Sequence, residues 1–250
     1  MNIVYSASGK KYLREALLSA GSLLKHNENA RITIYTDQEF PNSRPAICFR
    51  PLPSGQRPTI CKVAALNDFA GECGIYLDTD TKILASLQEL WRSLSVHDFV
   101  IAHEPANIPG RPDVEPFVKY ENSRHYNSGV FAFRKAPSVK RLFEKWQDVL
   151  SSASDQDIQI GAIRNDQEVL NELLFEDETV AQRDFRIGTV RNTKYNARGS
   201  MWREMKKDGL LQHAAILHCH SVWPTIDQRL KWKLLSGWRK LVCGSGVLCC

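Results

Sequence analysis

No CxxC pair and no ladder of closely spaced cysteines occurs in this chain. Its seven cysteines are scattered at Cys48, Cys61, Cys73, Cys219, Cys243, Cys249 and Cys250. Such an odd, sparse set argues against a disulfide scaffold and for a reducing compartment with free thiols. No apolar run approaches the ~18 residues that a membrane-crossing helix needs. No basic stretch followed by an apolar one precedes the opening Asn2-Ile3-Val4-Tyr5, so a signal peptide is not expected and a cytoplasmic protein is. Internal repeats and low-complexity segments are also missing, which favours one domain. Charge is not extreme. The net +5 and pI of about 8.8 fit an anionic substrate or a membrane surface as well as nucleic acid. Only the C-terminal tail interleaves bases with aromatics, so a nucleic-acid partner is not expected.

What the chain does have is a regular alternation of strand and helix patterns. Its 250 residues, 43% hydrophobic, suffice for one large α/β domain. Asn2–Ala7 reads as a strand punctuated by Ser8 and Gly9. Leu13, Ala16, Leu17, Ala20, Leu23 and Leu24 recur at helical spacing over Tyr12–His26. Arg31–Thr36 alternates as a second strand. This β-α-β opening predicts a mixed, mostly parallel central sheet flanked by helices. Further strands are expected at Ala46–Phe49, Phe99–Ala102, Gly129–Phe133 and Ile216–Leu217. Helices are expected at Lys62–Phe69, Leu87–Leu94, Pro137–Leu150 and Asp166–Leu174. Residues 103–125 are polar and charged, a long connection of the kind that often carries function. Residues 1–224 form the expected domain and 225–250 a tail.

Chemistry concentrates in four segments. The first is Gly74-Ile75-Tyr76-Leu77-Asp78-Thr79-Asp80-Thr81-Lys82-Ile83-Leu84, an apolar strand ending in two aspartates. A carboxylate at a buried strand end is costly unless a cation or proton compensates it. Residues i and i+2 share a face, so Asp78 and Asp80 can offer hard oxygen ligands to one Mn2+ or Mg2+. The second is His125-Tyr126-Asn127-Ser128-Gly129-Val130-Phe131-Ala132-Phe133-Arg134, read as a turn into a strand with an amide suited to sugar hydroxyls. The third is Asn165-Asp166-Gln167-Glu168-Val169-Leu170-Asn171. Helix capping explains Asp166 and Glu168 there but does not require Gln167 or Asn171. The fourth is Ile216-Leu217-His218-Cys219-His220-Ser221, where His218 is a candidate third metal ligand. His-x-His also invites zinc, but no matching cysteine pair completes that set.

In this order the four segments resemble the GT-A fold glycosyltransferases, nearest to the retaining family of glycogenin and the bacterial lipopolysaccharide galactosyl- and glucosyltransferases. Ser6-Ala7-Ser8, Tyr12-Leu13, Ser22-Leu23-Leu24 and Lys194-Tyr195-Asn196 add to the likeness, which runs from Met1 to about Pro224. The resemblance implies a metal-dependent glycosyltransferase moving a sugar from a UDP-sugar to a hydroxyl acceptor with retention. It makes Ala7, Ser8, Lys62, Asp78, Thr79, Asp80, Asn127 and Ser128 candidates for donor binding. It assigns Asp78, Asp80 and His218 to Mn2+ (or Mg2+), and Asp166 and Gln167 to the vicinity of the anomeric carbon. The acceptor is a glycan, a glycolipid or a protein side chain. One departure stands out. The family commonly carries a diphosphate-binding lysine after its late histidine, whereas Ser221-Val222-Trp223-Pro224 has none. Arg198, Arg229 and Lys231 are the cations left open as substitutes.

Two other readings follow from the same residues. A sugar-phosphate nucleotidylyltransferase would need a glycine-rich basic N-terminal loop, which is absent. A non-catalytic nucleotide-sugar or glycan-binding module would not need Asp78, Asp80 and His218 intact. The tail places Trp223, Trp232 and Trp238 among Arg229, Lys231, Lys233, Arg239 and Lys240. Such a segment either packs as a terminal helix or lies peripherally on an anionic membrane. Cys249 and Cys250 are read as plain thiols, with lipidation as the alternative.

Overall fold

The computed structural model describes residues 1–39, 45–52, 56–104, 120, 125–152, 165–175 and 186–219. The tail, His220, Ser221 and most of the 103–125 connection lie outside the described residues. Strands β1 (Asn2–Ala7), β2 (Arg31–Thr36), β3 (Ile47–Pro51), β4 (Cys73–Leu77), β6 (Phe99–His103), β7 (Tyr126–Arg134) and β8 (Ile187–Val190) form a seven-stranded sheet in the order β3-β2-β1-β4-β7-β6-β8. Every neighbouring pair is parallel except those of β7, which runs antiparallel to both β4 and β6. A second sheet of three strands joins β5 (Thr81–Ile83), β10 (Ile216–His218) and β9 (Ala197–Arg198).

Helices cover both faces of the large sheet. On one side, α1 (Lys10–Leu24) and α3 (Gln88–Arg92) close a core containing Ile3, Tyr5, Ile32, Ile75, Leu77 and Val130. On the other, α2 (Pro58–Asp68), α4 (Pro137–Ser152) and α5 (Asp166–Phe175) bury Tyr76, Phe99, Phe131, Phe133 and Trp146. Phe131 is the hub of that layer, in ring contact with Tyr76, Phe99, Phe143 and Trp146. Trp146 is fully buried and donates its indole N–H to the Asp166 carbonyl at 2.9 Å, tying the start of α5 to α4. One-turn α6 (Asn192–Tyr195) and short α7 (Trp202–Lys207) lead into the small sheet.

Several elements differ from the sequence expectation. The strand expected from Gly129 begins at Tyr126, so Asn127 and Ser128 are strand residues and not a turn. The reason lies in pairing from both sides. Tyr126 faces His103 of β6, and the Asn171 side chain on α5 bonds both the Tyr126 N–H (2.5 Å) and its carbonyl (2.9 Å). The helix expected from Lys62 starts a turn earlier, at Pro58, because proline's fixed φ and missing N–H suit a first helical position. The first helix spans Lys10–Leu24 instead of Tyr12–His26.

A polar stripe inside the fold connects α1 to the Asp78–Asp80 turn. Glu15, Ser19 and Ser22 lie on one face of α1 and meet the chain just after β4. Thr79 donates to Glu15 at 3.0 Å, and Ser22 accepts the Ile83 N–H at 2.9 Å. Thr81 donates to the Asp78 carbonyl (2.8 Å). Each hydroxyl has one proton, so the remaining contacts are directed: Tyr5 O–H to Ser19 at 2.9 Å, and Ser19 O–H to Thr81 at 2.8 Å. Burial raises the Tyr5 phenol well above its ordinary value, which keeps it a donor. The Ser19→Ala substitution leaves the buried Tyr5 hydroxyl without its acceptor, while Thr81 keeps the Asp78 carbonyl. It should cost about 1–3 kcal/mol, read as a lower urea midpoint with an unchanged slope.

Candidate active site

The turn after β4 lies where the strand order reverses between β1 and β4, the place where open α/β sheets build their clefts. Asp78 N–H is held by the Gly129 carbonyl at 2.8 Å, and the Asp80 carbonyl by the Cys219 N–H at 2.9 Å. Antiparallel pairing of His218 with Thr81 then brings β10 against the turn. As a result, ligand atoms of Asp78, Asp80 and His218 all lie within 4.8 Å of one another. His218 Nε2 is 3.3 Å from Asp80 Oδ1 and 3.7 Å from Asp78 Oδ2. A Cβ on Gly129 would sit 2.3 Å from His218 Cε1 and 2.8 Å from Asp78 Oδ2, so only glycine leaves this space open.

A line of amides sets the histidine tautomer. Gly129 N–H donates to Asn127 Oδ1 at 3.0 Å, and so does Asn196 Nδ2 at 2.7 Å. Asn196 Oδ1 therefore faces His218 Nδ1, 2.7 Å away, and must accept from it. The neutral ring carries its proton on Nδ1 and turns the Nε2 lone pair to the two carboxylates. Two hard oxygens and one imidazole nitrogen around an uncluttered space fit Mn2+ or Mg2+.

Beyond Asn127 the network continues to α5 and the end of β6. Asn127 Nδ2 donates to Glu104 Oε2 and to Gln167 Oε1, both at 2.8 Å. Gln167 Nε2 donates to Glu104 Oε2 at 3.2 Å. The other Glu104 oxygen is ion-paired with the Arg198 guanidinium.

Lys62 closes the opposite wall. Its ammonium is 2.7 Å from Asp166 Oδ2, 3.3 Å from Asp78 Oδ1 and 3.1 Å from Ser128 Oγ. Ser128 in turn donates to Asp166 Oδ2 at 2.8 Å. Burial alone would lower the Lys62 ammonium, but Asp166 and Asp78 outweigh it and hold it above its ordinary value. Burial likewise pushes the Asp166 carboxyl up, and Lys62 with Ser128 overcomes this to hold it low. Tyr76 donates to Asp78 Oδ1 at 3.0 Å; burial, then Asp78 and Asp166, keep that phenol protonated. Among the described residues, Asp78, Asp80, Glu104 and Asp166 face two cations, Lys62 and Arg198. Four negative charges against two positive leave two, which one divalent cation would balance.

With that geometry in place, the comparisons are direct. The sequence matches the pattern of the nucleotide-diphospho-sugar transferases over residues 74–223, from the strand before Asp78 to just past His218. The chain belongs to the nucleotide-diphospho-sugar transferase family. Its fold is the GT-A fold of glycosyltransferases. The structure is similar to the glycosyltransferase GlyE of Streptococcus pneumoniae TIGR4, with a TM-score of 0.61 at 15% identity. That match covers 94% of this chain and 59% of GlyE, so the chain spans well under two thirds of GlyE's length. It is also similar to the galactosyltransferase LgtC solved with donor and acceptor sugar analogues, with a TM-score of 0.59 at 16% identity. There the match covers 100% of this chain and 98% of LgtC. No curated protein sequence matches significantly. At these identities the structures show the shared fold.

The candidate residues fall in three places. Asp78, Asp80, His218, Lys62, Asn127, Ser128, Asp166 and Gln167 are joined in one network. Ala7 and Ser8 lie at the carboxyl end of β1, where the Ser8 hydroxyl and the Gly9 N–H bond Asp37 at 3.1 and 2.7 Å. Thr79 is buried with its hydroxyl turned to Glu15, on the side opposite the paired aspartates. Helix capping falls to Asn165 and Glu168, which exchange backbone bonds at 2.9 Å, and so Asp166 is free for Lys62. Asn171 serves the backbone of Tyr126. Sequence reasoning gave no role to Glu104 or Asn196. Glu104 follows an apolar strand as Asp78 does, and that was its readable signal.

Two substitutions test the metal geometry without altering a ligand. Asn196→Ala removes the acceptor that orients His218 and should weaken Mn2+ binding by roughly 10–100-fold. Gly129→Ala should do at least as much by displacing His218. Calorimetric titration with Mn2+ checks both, with thermal melting in chelator to confirm folding.

Proposed function

We propose that the chain is a divalent-metal-dependent glycosyltransferase that moves a sugar from a UDP-sugar to a hydroxyl of a glycan or glycolipid, with retention. The observation that carries this reading is the adjacency of two groups. Asp78, Asp80 and His218 form a metal-competent corner, and Asn127, Gln167, Glu104 and Asp166 form a hydrogen-bonding wall beside it. A nucleotide diphosphate suits the first and sugar hydroxyls suit the second. The donor and acceptor analogues bound by the similar LgtC support the same pairing of substrates.

Asp78, Asp80 and His218 would hold the Mn2+ or Mg2+. When bound, the ion supplies Lewis-acid stabilisation of the departing diphosphate. The protein's own residues do the rest. Asn127 and Gln167 orient the sugar. Asp166, ionised and aimed at Lys62 and Ser128, stabilises positive charge developing at the anomeric carbon but is poorly placed as a nucleophile. That favours a front-face transfer. The bond from C1 to the phosphate oxygen breaks and its electron pair stays on the phosphate. The acceptor oxygen bonds C1 from the same face, and its proton passes to the departing phosphate.

Incubation with Mn2+ and a panel of UDP-sugars should release UDP with one donor. Chelator should abolish release, and NMR of the product should show the donor's anomeric configuration. Asp166→Asn should cut kcat by about 100-fold or more with little change in UDP affinity. Full activity in that variant would remove Asp166 from the reaction. Failure of every nucleotide sugar to bind or react would overturn the reading. Tight donor binding without turnover would point to a binding module.

A further inference from the structure

A nucleotide diphosphate carries more negative charge than one divalent cation neutralises, so the protein must supply directed N–H donors as well. Among the described residues, two cations are ion-paired within the carboxylate cluster, Lys62 and Arg198. An ammonium has three donors, and Lys62 spends all three on Asp78, Asp166 and Ser128. Arg198 is different. A guanidinium has five donors in a fixed fork. Arg198 gives one nitrogen, Nη1, to Glu104, while its buried Nε–H has no acceptor among the described residues.

Position adds to this. β9 runs parallel to β10 with Arg198 directly paired to His218, so both side chains project from the same face of the small sheet. The far end of Arg198 reaches Glu104, whose other oxygen is bonded by Asn127 and Gln167. The guanidinium thus spans from the metal corner to the sugar wall. Burial lowers its affinity for its proton, and the charges of Asp80 and Asp78 oppose that loss.

We propose that Arg198 is the protein cation that binds the donor's diphosphate and carries the negative charge left on its sugar-linked phosphate. The inference rests on the donor reading above. Glu104 holds the guanidinium in place before the donor arrives, and the unpaired Nε–H is the donor that meets phosphate oxygen. As the C1–O bond breaks, the electron pair moves onto that oxygen, where an arginine N–H stabilises it. The acceptor's proton, not an arginine proton, neutralises the leaving group.

The alternative role is structural: Arg198 neutralises Glu104 and nothing more. UDP binding in the presence of Mn2+ separates the two, measured calorimetrically for the parent, Arg198→Ala, Glu104→Gln and the double variant. Arg198→Ala should lose about tenfold or more in UDP affinity while Mn2+ binding without nucleotide and the affinity for uridine stay at parent values. Glu104→Gln releases the guanidinium and should bind UDP at least as tightly as the parent. The double variant, which leaves no orphan carboxylate and so guards against misfolding, should bind UDP as weakly as Arg198→Ala. Parent-like UDP affinity in either variant lacking Arg198 overturns the proposal. If the parent binds none of UDP, GDP or ADP with Mn2+, the nucleotide-donor reading itself falls, and this inference with it.

Discussion

The carboxylate of Asp78 sits at the end of a buried strand, and most of the site is arranged around the cost of putting it there. One oxygen accepts a hydrogen bond from the Tyr76 phenol and faces the ammonium of Lys62; the other faces His218. Half-buried charge of this kind is tolerated only with partners on every side. Each partner is itself anchored in a different layer. Lys62 comes from α2, Tyr76 from β4, His218 from β10, and Gly129 on β7 leaves the gap in which they meet. Moving any of these layers would strand the charge, so the fold's register and the site's electrostatics constrain each other.

Rigidity has a second source in the hydrogen bonds that run through the site in one direction. On one side, protons point from Tyr5 through Ser19 and Thr81 to the Asp78 carbonyl. On the other, the Gly129 N–H orients Asn127, Asn127 accepts from Asn196, and Asn196 orients His218. Neither line can be reversed without leaving two acceptors or two donors facing each other. Preorganised dipoles of this kind cost no reorientation when charge develops. The fold therefore supplies orientation before any substrate arrives.

Much of this was legible in the sequence, and the parts that were not share a physical cause. The central sheet, its covering helices, the paired aspartates and His218 follow from local patterns: apolar runs, helical spacing, and acids at a strand end. The strands β5, β8 and β9 have three, four and two residues, too short for any period to show. They exist because distant partners hold them. Asn127 and Ser128 read as a turn because strand β7 is buried along nearly its whole length and shows no alternation. Asp166 read as a capping acid because its true partner, Lys62, is on another helix. The same holds for Glu104, whose contacts to Arg198, Asn127 and Gln167 come from three separate elements. Periodicity reports burial, while these roles depend on which buried groups face each other.

Charge bookkeeping explains why the two cations of the site differ in character. Lys62 is a compact ammonium locked between Asp78 and Asp166 on the inner wall, and its contacts to both carboxylates are what make burial there tolerable. A lysine so enclosed steadies the two carboxylates but has no donor left for a ligand. Arg198 sits on a two-residue strand in the small sheet, paired through Nη1 to Glu104 and with its Nε–H unpaired among the described residues. Its weaker hydration and spread donors suit a cation that shares itself between a resident carboxylate and an incoming anion. The residual charge of two is therefore not a defect of the packing. A site with that charge suits a divalent ion and a diphosphate entering together, because each would offset the charge that excludes the other.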